Sequence, residues 1–230
     1  MPTVPSPSTC WTVVRAAIAG GESDRDAFAR RYSPVVRAYL GARFRGSGLL
    51  AELDDAHQEI FVELFKPGGA LERFEAGAGG GFRAFLFAVA RNVALRIERG
   101  RAQGLARGAG ENGDLDALAR DETSLSRAFD RAWAQGLLEE AYRRLEEQAA
   151  RDGETALRRV ELLRLRFRED LPIQEIAVRW KMDAAALHRE YARARREFLR
   201  ALHGTVAFHH PEATAGEVER EAAHLLEVLQ

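Results

Sequence analysis

The sequence predicts an all-α protein: two small helical domains joined by a linker and followed by a helical tail. Three observations carry this. Strand signals are nearly absent, because β-branched residues are sparse and no alternating apolar–polar run is bounded by turn residues. Apolar residues recur at helical spacing along most of the chain. The stretch 103–121 (QGLARGAGENGDLDALARD) breaks that pattern; it is rich in Gly, Ala and Asp, lacks aromatic residues, and has the composition of a linker.

The elements follow in order. A short helix is expected over Thr12–Ala19, ended by Gly20 and Gly21. The next segment, Asp24–Phe44, places Phe28, Tyr32, Val35, Tyr39 and Leu40 on one stripe. Pro34 lies inside it, so a kink or two helices are expected there. Gly46–Gly48 breaks the chain. A third helix covers about Glu52–Lys66 and stops at Pro67-Gly68-Gly69. A glycine-rich loop, Phe74–Gly81, leads into a fourth helix from Phe82 to about Arg101. After the linker, helical pattern resumes over Leu125–Ala150, Glu154–Arg168, Pro172–Trp180 and Ala184–His203. Thr214-Ala-Gly-Glu217 has the form of a capping box and announces a last helix. The expected domains are 1–22 as an extension, 23–102, a linker over 103–124, 125–204, and a tail over 205–230.

Composition narrows the class. The chain has 230 residues, of which 46% are hydrophobic, enough for real cores. No run approaches the roughly 20 apolar residues of a membrane span, and MPTVPSPSTCW lacks the form of a secretory signal. Cys10 is the single cysteine, so no internal disulfide and no cysteine zinc site can form, and the cytoplasm is the expected location. His203, His209, His210 and His224 fit no common ligand spacing, so neither metal nor cofactor is expected. The glycines at 77–81 are not followed by the lysine of a phosphate-binding loop, and no nucleophile setting or catalytic carboxylate pair is found, so an enzyme is not expected. The net charge of −1 argues against a free-standing nucleic-acid binder. Lys66 and Lys181 are the only lysines; the remaining positive charge is arginine, which suits phosphate contacts and also a GC-rich genome.

Near the C-terminus, Ile173, Ile176, Ala177 and Trp180 supply the buried side of a short helix. A turn at Lys181–Asp183 follows, and Asp183 can cap the next helix. There Leu187, Tyr191, Ala194 and Phe198 share one face. Arg189, Arg193, Arg196 and Arg200 repeat that spacing two residues later, about 200° around the helix. Two short helices, a tight turn and a basic second helix fit a helix-turn-helix. Such arginines can neutralise phosphates or read guanine. A solvated surface helix has the same stripe, and Glu190 and Glu197 are spaced to pair with some of these arginines.

This segment resembles the promoter −35-binding domain of the extracytoplasmic-function group of RNA polymerase sigma factors. The matching features are the apolar run Leu162–Phe167, then Glu175-Ile176-Ala177, then Arg193-Ala194-Arg195. The resemblance implies DNA contact by Lys181, His188, Arg189, Arg193, Arg196 and Arg200. Lys181 stands where the family usually has glycine, Ala186 where threonine is common, and Glu190 where a basic residue is common. A left-handed residue costs about 1 kcal/mol for lysine, which leaves the turn's geometry open. An acid facing phosphates would weaken binding.

LDDAHQEIFVELFK resembles the family's polymerase-binding helix through Asp55, Gln58 and Glu59, and the resemblance implies a docking face of Asp54, Asp55, Gln58, Glu59 and Phe61. By itself this is also an ordinary amphipathic helix with an acidic face. GFRAFLFAVARNVALRIERGRA resembles the helix that holds and melts the −10 element, through Phe82-Arg83-Ala84-Phe85-Leu86 and Ala90-Arg91-Asn92. It implies contacts by Arg83, Arg91, Asn92, Arg96 and Arg99; Phe82, Phe85 and Phe87 are expected to be largely core. In the family the preceding loop receives a flipped base; here that loop is 75–81.

The resemblance covers about 25–102 and 135–203, in the family's order. It implies a sigma factor whose partners are core RNA polymerase and promoter DNA, and it leaves room for an anti-sigma or other regulatory protein. Two other readings stand beside it: a helix-turn-helix regulator that works without polymerase, and a degenerate sigma-like interaction protein. In the tail, Val218, Ala222, Leu225 and Leu229 make an apolar stripe and Glu217, Glu219, Glu221 and Glu227 an acidic one. The tail is expected to pack on its own domain; an acidic cover over the arginine stripe is the alternative.

Overall fold

The computed structural model describes residues 10–19, 21–74, 81–108 and 121–228, and among them there are helices and no strand. The helices are α1 (Cys10–Ala19), α2 (Glu22–Arg43), a 3-10 turn (Gly48–Glu52), α3 (Leu53–Phe65), α4 (Gly81–Gly108), α5 (Glu122–Asp152), α6 (Glu154–Phe167), α7 (Ile173–Trp180), α8 (Ala184–His209) and α9 (Ala215–Val228). The all-α expectation is met.

One expectation about local structure is narrowed and two are corrected. Helix α2 is one helix with Pro34 inside it, not two. A proline in mid-helix costs about 3 kcal/mol. Packing outweighs that cost, because Phe28 and Tyr32 before it, and Val35, Val36, Tyr39 and Leu40 after it, are all buried. The stretch with linker composition, 103–124, is helical at both ends: α4 runs to Gly108 and α5 starts at Glu122, while 109–120 lie outside the described residues. Asp121 starts α5, accepting hydrogen bonds from the N–H groups of Thr123 (3.0 Å) and Ser124 (3.2 Å). Helix α8 continues to His209, six residues past the expected end.

The chain divides into two compact units. The first is Met1–Gly136 with His209–Pro211 and Val228–Gln230; the second is Leu137–Phe208 with Glu212–Glu227. The first half of α5 therefore belongs to the first unit. Its reason is apolar: Leu125, Phe129, Ala132 and Trp133 are buried. Trp133 stacks on Tyr32 with ring centroids 5.9 Å apart, and Phe129 meets Tyr39 and Phe87 edge-on at 6.2 and 5.2 Å. Phe28 links α2 to Phe65 and Phe82. Beyond α3 the chain turns sharply at Gly69, where a Cβ would come within 2.5 Å of the Lys66 carbonyl oxygen, so only glycine fits.

In the second unit α6 is the central rod. One side, with Ala156, Val160 and Leu163, packs with Leu145, Ala149 and Ala194. The other, with Leu162 and Leu165, packs with Ile173, Ile176, Ala177 and Leu187, covered by Trp180 and Met182.

The turn after α7 resolves the question of Lys181. It is left-handed, with φ 53° and ψ 45°. The Met182 N–H donates to the Ala177 carbonyl (2.9 Å) and the Lys181 N–H to that of Val178 (3.2 Å). That is a Schellman cap, closed by Met182 in the apolar cluster. The cap and the half-buried methionine hold a lysine where glycine is unstrained. Lys181→Gly is therefore expected to stabilise the second unit by about 1 kcal/mol, read as a higher denaturation midpoint with unchanged slope. A lowered midpoint would refute the strain.

Candidate nucleic-acid interface

Helix α3 presents a mixed face. Asp55, Gln58 and Val62 lie at i, i+3 and i+7 and are all exposed, Val62 to 54%. Asp54 pairs with Arg37 of α2 at 2.7 Å. His57 shares a 2.7 Å hydrogen bond with the Ser33 hydroxyl; burial, with the Arg37 charge, holds its pKa below the usual histidine value. Phe61 lies against Phe28, His57 and Phe65 and is buried, so Val62 supplies the apolar surface of this face.

Helix α4 carries its arginines in a different state from the one its sequence suggests. Arg83 pairs with Asp130 of α5. Arg91 Nε donates to Glu122 Oε2 at 2.8 Å. Arg96 donates to Glu59 of α3 at 2.8 Å and lies 3.7 Å from Glu63. Asn92 and Arg99 are exposed, and Arg99 is in no ion pair among the described residues. Of the helix's phenylalanines, Phe82 is fully buried, while Phe85 and Phe87 are half-buried against Phe74 and against Tyr39 and Phe129. Residues 75–80, most of the segment expected to receive a base, lie outside the described residues.

Beneath this surface is a charged network absent from the sequence expectations. Arg43, at the end of α2, is buried and makes two bonds to the equally buried Glu98, at 2.9 and 2.8 Å. Its Nη1 donates to the Tyr39 hydroxyl (3.1 Å) and to Glu122 Oε1 (3.2 Å). Glu122 thus bridges a buried and a surface arginine, one carboxylate oxygen on each. Burial would raise its pKa, but the hydrogen bonds from Arg91 and Arg43 outweigh that and hold it below the usual carboxylate range. A helical pattern shows Arg43 as one more polar residue near a helix end. Only the three-helix packing reveals its partners.

On the second unit, Lys181, His188, Arg189, Arg193, Arg196 and Arg200 are all exposed. The first and last of the four arginines are 11 residues apart on one helix, about 16 Å, a length that can follow several phosphates. Arg193 approaches Glu190 at 3.3 Å; Arg189, Arg196 and Arg200 are in no ion pair among the described residues. Glu190 and Glu197 turn to α6, where Arg159 is 3.6 Å from Glu190 and donates to Glu197 at 2.8 Å. The acid at 190 thus anchors α8 to its neighbour, which explains a carboxylate beside a basic row. Asp183 caps α8 as expected, accepting from the Ala186 N–H at 2.8 Å.

The tail helix α9 starts with the expected capping box. The Thr214 N–H donates to Glu217 at 2.7 Å, and the Glu217 N–H to the Thr214 hydroxyl oxygen at 3.4 Å. It buries Val218, Ala222 and Leu225. Among the described residues no ion pair joins its glutamates to the α8 arginines, which stay exposed. Among the described residues no group of three or more His, Cys, Asp or Glu is placed to hold a metal, and no helix is long and apolar enough to cross a membrane.

The structure defines an all-helical class of protein with an acidic–amide face on α3 beside an arginine-bearing α4. Comparison with protein families narrows that class: residues 28–103, a third of the chain spanning α2 to α4, match the family model for Sigma-70 region 2. The matched stretch contains the acidic–amide face of α3 and the arginines Arg83, Arg91, Arg96 and Arg99 of α4. No curated protein matches the chain.

Proposed function

We propose that this chain is a sigma factor of the extracytoplasmic-function group, which docks on core RNA polymerase through α3, melts the −10 element with α4, and contacts the −35 element with α8 as the second helix of a helix-turn-helix. The observation that carries the reading is the region 2 match, which falls on the helices that bear the acidic–amide face and the arginines. Polymerase docking needs groups free to meet a basic partner over an apolar base, and Asp55, Gln58 and Val62 supply them. Contact with the −35 element needs a helix that fits the major groove, about 12 Å wide, with cations toward the phosphates. The exposed arginine row of α8 has that form.

The test is transcription from a promoter library with purified chain and core polymerase. Core-dependent start sites sharing an upstream motif are expected. DNA binding without core would replace the reading with a polymerase-independent regulator. Core binding without transcripts would replace it with a sigma-like interaction protein, which the paired state of Arg83, Arg91 and Arg96 favours as the second reading.

A further inference from the structure

We infer that Arg43 and Arg91 form a two-arginine site for a backbone phosphate of single-stranded DNA, occupied in the free chain by the carboxylate of Glu122. This rests on the proposal that α4 handles the −10 strand. It adds a ligand residue, Arg43, and a built-in competitor.

The geometry is that of one bridging anion. Glu122 places Oε1 3.2 Å from Arg43 Nη1 and Oε2 2.8 Å from Arg91 Nε. A phosphodiester also offers two non-bridging oxygens, so it can make the same two contacts. Arg43 is held in position for such a contact. Glu98 grips its Nε and Nη2 edge with both carboxylate oxygens and Tyr39 holds Nη1, so Nη1 is aimed at the Glu122 position with little freedom to reorient. The position is open to solvent, since Glu122 itself is 44% exposed on its side chain. Charge completes the case. Arg43, Arg91, Glu98 and Glu122 sum to zero; when Glu122 leaves, the remaining three carry +1 and attract a phosphate. Asp130, also on α5, treats Arg83 alike. Two of the α4 arginines thus meet carboxylates from the first half of α5, and Glu122 is the first residue of that helix. In the free chain α4 therefore grips single strands poorly, and a strand presented by a complex must displace Glu122.

The test compares the full chain with Glu122→Gln, Arg91→Ala and the double variant. Binding of a labelled mixed-sequence single strand of about 12 nucleotides is measured by anisotropy across salt concentrations. Glu122→Gln is expected to tighten binding about three- to tenfold and to steepen the logarithmic salt dependence by about 0.7, the mark of one more phosphate contact. Arg91→Ala in that background should cancel both changes. Arg91→Ala is also measured in the complex with core polymerase on melted promoter DNA. If it weakens that complex while Glu122→Gln leaves the free chain unchanged, the competitor role is overturned and the α4 reading stands. If Arg91→Ala has no effect in the complex, both fall. Glu122→Asp, which keeps the charge but withdraws it by one methylene, serves if Glu122→Gln fails to fold; a smaller gain supports the site and no gain overturns it.

Discussion

Trp133→Ala is expected to cost the first unit about 3–5 kcal/mol, among the larger losses a single substitution produces. The side chain is only 4% exposed and lies among Tyr32, Phe82, Phe129 and His209, with ring centroids 5.3 to 6.5 Å away. Removing it leaves a cavity bounded by rigid rings, which cannot collapse to fill it. The expected observation is an early denaturation transition in the first unit. The second unit's core, built on α6, is untouched and should keep its own midpoint. A loss below about 1 kcal/mol would mean that the first half of α5 is not part of the first core. The same substitution separates two views of 122–136: a spacer would tolerate it, and a structural helix would not.

Arg43→Met is expected to destabilise the first unit by about 3–5 kcal/mol, because it strands the Glu98 carboxylate in the core. Glu98 is 6% exposed and takes two hydrogen bonds from Arg43. Burial works to lower the pKa of Arg43, and the Glu98 hydrogen bond, with help from Tyr39, raises it. Glu98→Leu in the Arg43→Met background removes the stranded charge and should recover much of the loss, since a buried ion pair is often no more stabilising than a packed apolar pair. A double variant as unstable as the single one would show that lost packing, not the unpaired charge, sets the cost.

Much of the fold is legible in the sequence because helical periodicity reports burial directly. Phe28, Tyr32, Val35, Tyr39 and Leu40 form one stripe by spacing and are all buried. The Asp183 cap and the Thr214–Glu217 box are legible because they are local patterns. At Pro34 the sequence leaves a kink and two helices both open, because the penalty of a proline is local while the packing that keeps α2 continuous comes from several helices. The first half of α5 sorts by sequence with the domain that follows it, since periodicity says that a face is apolar but not what it meets. The candidate sites divide in the same way. The exposure of Arg189, Arg193, Arg196 and Arg200 follows from helix geometry. Their relation to Glu190, whose partner Arg159 is 31 residues earlier, does not. Nor does any pattern within α4 show that Arg83 and Arg91 meet carboxylates of α5.

The ion pair between Glu59 and Arg96 has a thermodynamic consequence. One residue stands on the face of α3, the other on α4, and they share a 2.8 Å hydrogen bond. The two faces are therefore not independent of one another. A cation that takes Glu59 frees Arg96 from its shorter contact, leaving Glu63 at 3.7 Å, and an anion that takes Arg96 releases Glu59. Linkage makes the effect reciprocal: each ligand strengthens the other by the same factor. An exposed pair of this kind is worth on the order of 0.2–1 kcal/mol. The coupling is then a factor of about 1.4 to 5 in affinity. Glu59→Gln should abolish that factor, weakening the cation at its own site while leaving the anion able to bind Arg96, read by titrating each ligand with and without the other.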